Sequence, residues 1–254
     1  MLNYISAEWY KLRRTKGIFV AFGVLLLLIA VLFIPSAWVM IPSLEVYAGT
    51  YIVALLLGFF LAPIFAVRAF DDQYGRQTMK NEVVFRIPRC RIYLGKLIFG
   101  GLLGTGAAFL VLGFYLVMCI LSGGMAEENA LLYMDLCVRG TLQVLPLWLA
   151  SLSLAFLLQV AVRNSGGAVA VNYLLLLFGT PIAVMSSTGE AAGSHFLNFM
   201  TRWFFVAPYW NFYNTMGIGG SGFSGMVGSW LVGLGWVLAT TLIGLGILSR
   251  REIN

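Results

Sequence analysis

Residues suited to covalent or acid–base chemistry are sparse in this chain. Gly222-Phe223-Ser224-Gly225 sets a serine among glycines, as a membrane-embedded hydrolase would present its nucleophile, and His195 is the single histidine available as its base. A serine attacks only beside a placed base. Here the histidine precedes the serine and lies in a different, aromatic segment, so Ser224 reads first as part of a glycine-rich lead-in to the last apolar run. One histidine, three cysteines at 90, 119 and 137, and no clustered carboxylates leave nothing at metal-ligand spacing. Glu127-Glu128 reads as a solvated pair. No G-x-x-x-x-G-K-[ST] loop is present, so the chain has no phosphate cradle of that kind. ATP-driven work would need a separate ATPase.

What the chain has instead of catalytic groups is one dense block of charge. Residues 68–96 hold ten of the 26 charged side chains, in RAFDDQYGRQTMKNEVVFRIPRCRIYLGK. Asp71 and Asp72, followed by Gly75, suit a turn. Thr78 can cap a short helix, 79–85, which Pro88 keeps from running far. Met79, Val83 and Arg86 share one face of that helix, with Lys80 beside them. A short rigid helix with an apolar edge suits insertion into a partner's groove.

The elements that position this block are apolar. Sixty per cent of the residues are hydrophobic, 10% are charged and the mean hydropathy is +0.90, whereas a soluble domain carries roughly 25% charged residues. Charge-free runs cover 17–44, 46–67, 97–126, 141–162, 164–189 and 203–249, and about 20 apolar residues cross a bilayer as helix. The runs show no alternation, which excludes barrel strands. The expectation is an all-α polytopic membrane protein, a single transmembrane domain over 1–254. Its six spans fall near 18–39, 48–67, 93–121, 142–162, 168–185 and 226–248.

With both termini cytoplasmic, 14 of the 16 cations fall inside and only Arg139 and Arg202 outside. The net charge of +6 is then a matter of topology, and nucleic acid is not needed as a partner. The apolar run after KLRRTK exceeds a signal-peptide core and reads as a retained first span. The three cysteines fall in different environments and read as packing residues.

Residues 1–16 suit an amphipathic helix in the inner membrane interface, with Trp9 and Leu12 on one face and Glu8 facing Lys11 one turn on. Arg13 and Arg14 continue its basic edge. The segment 186–225 is broken by Pro208 and glycines. Its aromatic part, including Arg202, Trp203, Phe204, Tyr209 and Trp210, fits either a belt at the outer interface or a short re-entrant element. Small residues in the third and sixth spans, Gly100, Gly104, Gly225, Ser229 and Gly233, allow close helix approach within one subunit or between two. Gln143, Gln159, Asn172, Thr240 and Thr241 read as interhelical hydrogen-bonding groups.

This order of elements resembles the permease subunits of type-2 ABC exporters: an interfacial helix, a hairpin, a cytoplasmic coupling helix between spans two and three, and a broken outer element before the last span. Glu8-x-x-Lys11-Leu12-x-Arg14, Gly75 with Thr78-Met79-Lys80-Asn81, and Ile87-Pro88-Arg89-x-Arg91-Ile92-Tyr93 with Lys96 look most like the bacitracin-resistance and lantibiotic-immunity branch. A common form of that branch has an adjacent Gly-Thr, whereas Gly75 and Thr78 here are separated by Arg76 and Gln77.

The resemblance implies a non-enzymatic transport subunit in a bacterial plasma membrane. It would pair with a second copy or a homologous permease, and with cytoplasmic ATPases that bind ATP and Mg. It also implies that Asp71 to Arg86 carry the coupling and that the interfacial helix braces the first span. Membrane lipid would surround the chain, and the substrate would be a peptide antibiotic released outward, with residues 202–210 as a candidate gate or contact surface. Export of another lipid-like or small molecule, a partner-independent channel, and an intramembrane hydrolase using Ser224 are the alternatives.

Overall fold

The computed structural model describes residues 6, 9–10, 16–39, 44–61, 64, 66, 88–121, 127–162, 165–188 and 223–250. All regular structure among the described residues is helical: α1 Lys16–Val39, α2 Leu44–Phe59, α3 Arg89–Leu121, α4 Glu127–Ala161, α5 Ser165–Thr188 and α6 Phe223–Arg250. Helix is what such sequences must form away from water, because it satisfies every interior backbone N–H and C=O within the segment.

Among the described residues, three helical stretches are long and apolar enough to cross a membrane: Cys90–Leu121, Cys137–Ala161 and Met226–Ser249. Phe19–Val31 and Gly166–Phe178 are shorter apolar helical stretches. The outward faces are apolar as well. On α6 the exposed residues Leu231, Leu234, Leu238 and Leu242 recur every three or four positions. A continuous stripe of this kind suits contact with lipid or with another apolar protein surface.

The axis of the bundle is α4, with 78% of its apolar window buried, against 33% for α3 and 22% for α6. Helices α2, α3, α5 and α6 all pack on it. On α3 the inward face is set by Ala107, Val111, Tyr115 and Cys119, each one helical turn after the last. On α1 it is Leu25 and Ile29. Helix α4 begins well before its apolar window. Its leading turns carry the exposed Asp135–Arg139 ion pair at 2.8 Å, one helical turn apart, so the helix outruns the hydrophobic stretch beginning near 142 that the sequence marks.

The closest helix contact is between α4 and α6. Pro146 lies inside α4 and brings no N–H to the helical ladder. Against its carbonyl sits Gly233 of α6, so near that a Cβ there would lie 2.6 Å from the oxygen. One face further in, the Thr240 hydroxyl donates to Ser153 Oγ at 2.9 Å, and Ser153 in turn donates to the Ala150 carbonyl at 2.8 Å. On α3, a Cβ at Gly100 would meet the Phe156 ring at 2.8 Å. The small residues of the third and sixth helices are therefore used within the subunit at these positions. Cys119 and Cys137 are buried and Cys90 is exposed; all three are thiols.

Candidate functional site

The charge block of residues 68–96 is fed by α2 and taken up by α3, so the site is built from those two helix ends. Helix α2 closes at Phe59, with Phe60 N–H donating to the Leu57 carbonyl at 3.1 Å in a tighter turn. Beyond the turn at Phe60, the described residues 61, 64 and 66 are again helical. The chain stays in the core beyond this break, since Leu61 and Ala66 are buried.

Neighbouring helices hold α2 along its length through aromatic side chains. Near the middle of α2, Thr50 hydrogen-bonds the Tyr115 hydroxyl of α3. The Tyr51 hydroxyl meets Thr141 of α4 and donates to the Cys137 carbonyl at 3.0 Å, while its ring lies 5.0 Å from that of Tyr115. Further along, the Trp148 indole N–H of α4 donates to the Leu55 carbonyl at 3.1 Å. Trp148 fits only because residue 58 is glycine, where a Cβ would lie 1.9 Å from the ring. At the break itself, Tyr173 of α5 donates its hydroxyl to the Phe60 carbonyl at 3.1 Å and stacks on Phe60 at 5.9 Å. The donor thus comes from another helix where α2 loses its own regular pattern.

The chain re-enters at Pro88, whose carbonyl accepts from Arg91 N–H at 2.8 Å and Ile92 N–H at 3.2 Å, starting α3. Ile92, Tyr93 and Lys96 of the first turns are buried, Lys96 at 2% exposure. An ammonium there must be paired to be tolerated, and Lys96 is indeed engaged by a neighbour. By sequence, Lys96 counts as the last cation of the cytoplasmic charge block. Its recurrence with Ile92, Tyr93 and Phe99 at helical spacing was the signal that it belongs to the inward face. The Tyr93 ring lies against α6, where a Cβ at Gly244 would be 2.5 Å from the hydroxyl oxygen.

Of the interfacial-helix residues, Trp9 is described, half exposed, with its ring edge-on to Phe99 of α3 at 6.5 Å. This ring contact is with α3. Glu8, Lys11, Leu12, Arg13 and Arg14 lie outside the described residues, as do Asp71, Asp72, Gly75, Thr78, Met79, Lys80, Asn81, Val83 and Arg86. So do Arg202, Trp203, Phe204, Tyr209 and Trp210, together with His195. Ser224 falls in the first turn of α6.

Among the polar residues within helices, Thr240 bridges to α4, whereas Thr241 donates to the Val237 carbonyl of its own helix at 2.5 Å. Both carboxamide atoms of the buried Asn172 lack a hydrogen-bond partner among the described residues. Among the described residues there is also no group of three His, Cys, Asp or Glu arranged to hold a metal.

The arrangement holds two helix ends, from which a charged segment departs and to which it returns, firmly in one core. No curated protein matches this chain. The family of ABC-2 family transporter proteins matches residues 4–179, a stretch that contains α1 to α4, most of α5 and the charged segment between α2 and α3. More than two thirds of the sequence is covered, and the chain belongs to that family of ABC transporter permeases.

Proposed function

We propose that this permease is the membrane half of an ATP-driven exporter that removes a peptide antibiotic from a bacterial plasma membrane, for resistance or self-immunity. Family membership gives the transmembrane permease of an ABC exporter and implies an ABC ATPase as partner. The proposal adds the topology of six spans with both termini inside, pairing with a second copy or a homologous permease, and the substrate class.

The observation that carries the reading is the continuity between α2 and the charged segment. Three aromatic side chains from three helices (Tyr115, Trp148 and Tyr173) hydrogen-bond to α2 up to its break. Residues 68–87 follow, and the chain then returns into the same core at Ile92 and Tyr93. A segment tethered at both ends to one packed core can pass a push on to it. The separate ATPase binds ATP and Mg and closes on nucleotide. The helix containing Met79, Lys80 and Val83 receives that motion and α2 and α3 carry it inward. Residues 202–210 then meet the substrate on the outer side.

The chain is expected to copurify with an ATPase. Replacing Met79, Lys80 and Val83 together is expected to abolish substrate-stimulated hydrolysis while both subunits remain folded. Unchanged coupled turnover contradicts the proposal.

A further inference from the structure

Three tyrosines are fully buried among the described residues, Tyr51, Tyr93 and Tyr115. The hydroxyls of Tyr51 and Tyr115 are hydrogen-bonded to neighbouring helices, whereas that of Tyr93 has no partner. An unpaired hydroxyl in such a place destabilises the arrangement that holds it. Its seat is bare backbone. At Gly244 of α6 the three atoms nearest a notional Cβ all belong to Tyr93, with the hydroxyl oxygen at 2.5 Å and the ring carbon that bears it at 2.7 Å. The phenol rests where a side chain is missing and finds no acceptor there.

An acceptor lies less than one turn away. Thr241 precedes Gly244 by three residues, which places it beside the same face of α6 and about 4.5 Å along the axis. Its proton goes to the Val237 carbonyl at 2.5 Å, so its oxygen can still accept. Thr240 is turned to α4, where it donates to Ser153. The register gives the direction in which Tyr93 would reach Thr241. Gly100 and Gly104 of α3 lie against Phe156 and Leu152 of α4, so those two helices are antiparallel. Gly233 and Thr240 of α6 meet Pro146 and Ser153 of α4, so that pair is parallel. Helix α3 therefore runs antiparallel to α6. A slide of α3 toward its own C-terminal end carries Tyr93 from Gly244 toward Thr241, and a push entering α3 at its N-terminal end acts in that direction. Slides of up to one turn are an established mode of switching between packed helices.

We propose that Tyr93 has two seats on α6: the one observed at Gly244, where its hydroxyl is unpaired, and a second at Thr241, where the hydroxyl donates to Thr241 Oγ1. Tyr93 is then a positioning residue of the permease. It leaves α3 free to advance from the first seat and holds it by one hydrogen bond in the second. The part this plays in transport rests on the proposed coupling to an ATPase. The two seats themselves do not, and the first experiment uses this chain alone.

The purified full chain is melted in mild detergent. Tyr93→Phe is expected to melt no lower than wild type, because the hydroxyl it removes bonds to nothing in the observed seat. Gly244→Ala closes that seat, since the added methyl group runs into Tyr93, and drives the phenol to Thr241. In the Gly244→Ala background Tyr93→Phe should lower the melting temperature by about 3 °C. Thr241→Val should do the same, the two together should cost no more than either alone, and Thr241→Ser should leave the temperature unchanged. A lower melting temperature for Tyr93→Phe in the otherwise wild-type chain means that the hydroxyl is already bonded and overturns the proposal. Neutral Tyr93→Phe in both backgrounds, or additive losses with Thr241→Val, overturns it as well. So does a Gly244→Ala chain that folds only when Tyr93→Leu is added, because the ring then has no second place to go. If neither of those folds, the assembled exporter decides. There Tyr93→Phe and Thr241→Val should each lower the ratio of transport to ATP hydrolysis about fivefold, the weight of one hydrogen bond, and Thr241→Ser should restore it. An unchanged ratio overturns the positioning role, whereas a wild-type chain without ATP-driven transport contradicts the proposed function and leaves the melting comparison to judge the two seats.

Discussion

Two seams in this bundle are built on opposite plans. Between α4 and α6 the contact is made by subtraction, since Gly233 removes its side chain so that the α6 backbone can lie on the Pro146 carbonyl, and the short hydroxyl pair Thr240–Ser153 hydrogen-bonds across the same seam. Around α2 it is made by addition, with Tyr115, Trp148 and Tyr173 each reaching across to a backbone carbonyl or hydroxyl. Backbone-on-backbone packing has few alternative arrangements and resists sliding. A long aromatic donor can follow its carbonyl through a small shift. The α2 seam is also the one beside a helix break and the charged segment. The difference suits a rigid pair, α4 with α6, and a gripped but adjustable helix that delivers the push.

The comparison is broken most severely at Gly233. Valine there drives methyl groups into the Pro146 backbone, which cannot rotate away, and should destabilise the fold by about 3 kcal/mol. Folded yield and unfolding in mild detergent would show it, and near-normal stability would mean that the seam is looser than described. Gly58→Ala should lose about 2 kcal/mol by displacing the Trp148 ring. Because the obstacle is a side chain, Trp148→Phe in the same molecule should recover much of the loss. Strictly additive losses would show that the two residues do not share the space.

Tyr173→Phe removes the donor to the Phe60 carbonyl at a stability cost of about 1 kcal/mol. Its larger effect should be on the ratio of transport to ATP hydrolysis in the assembled exporter. A change in stability with that ratio intact would make Tyr173 a packing residue only. The smallest effect belongs to Thr240→Val, about 0.6 kcal/mol, with coupling unchanged. An effect on coupling as large as that of Tyr173→Phe would erase the distinction between the seams.

Much of this was legible in the sequence because lipid simplifies the code. Uninterrupted apolar runs between charges announce helices, and Pro88 announces a boundary that the structure places at the start of α3. Other features depend on which side of a helix a residue occupies, and composition does not carry that. Lys96 counted as one more cytoplasmic cation until its neighbours Ile92, Tyr93 and Phe99 placed it on the inward face of α3. Gly233 was legible as a small residue, but its partner could have been another subunit; only the fold pairs it with Pro146. Tyr51, Trp148 and Tyr173 carry no motif at all. Aromatic residues inside an apolar run look alike until a carbonyl 3 Å away separates a donor from a spacer. The coupling residues proposed between Asp71 and Arg86 and the outer residues 202–210 were argued from charge, capping and aromatic content, and they lie outside the described residues.

The central claim is that the segment between α2 and α3 is where an ATPase meets this permease. Photo-crosslinking tests it most directly, with a photoreactive amino acid at Met79 in one sample and at Trp203 in another, both in membranes containing the assembled exporter. The account predicts that Met79 captures the ATPase subunit, with a yield that changes on adding nucleotide, and that Trp203 does not. Capture of the ATPase from Trp203, or none from Met79 in a complex that still hydrolyses ATP on substrate addition, would contradict it.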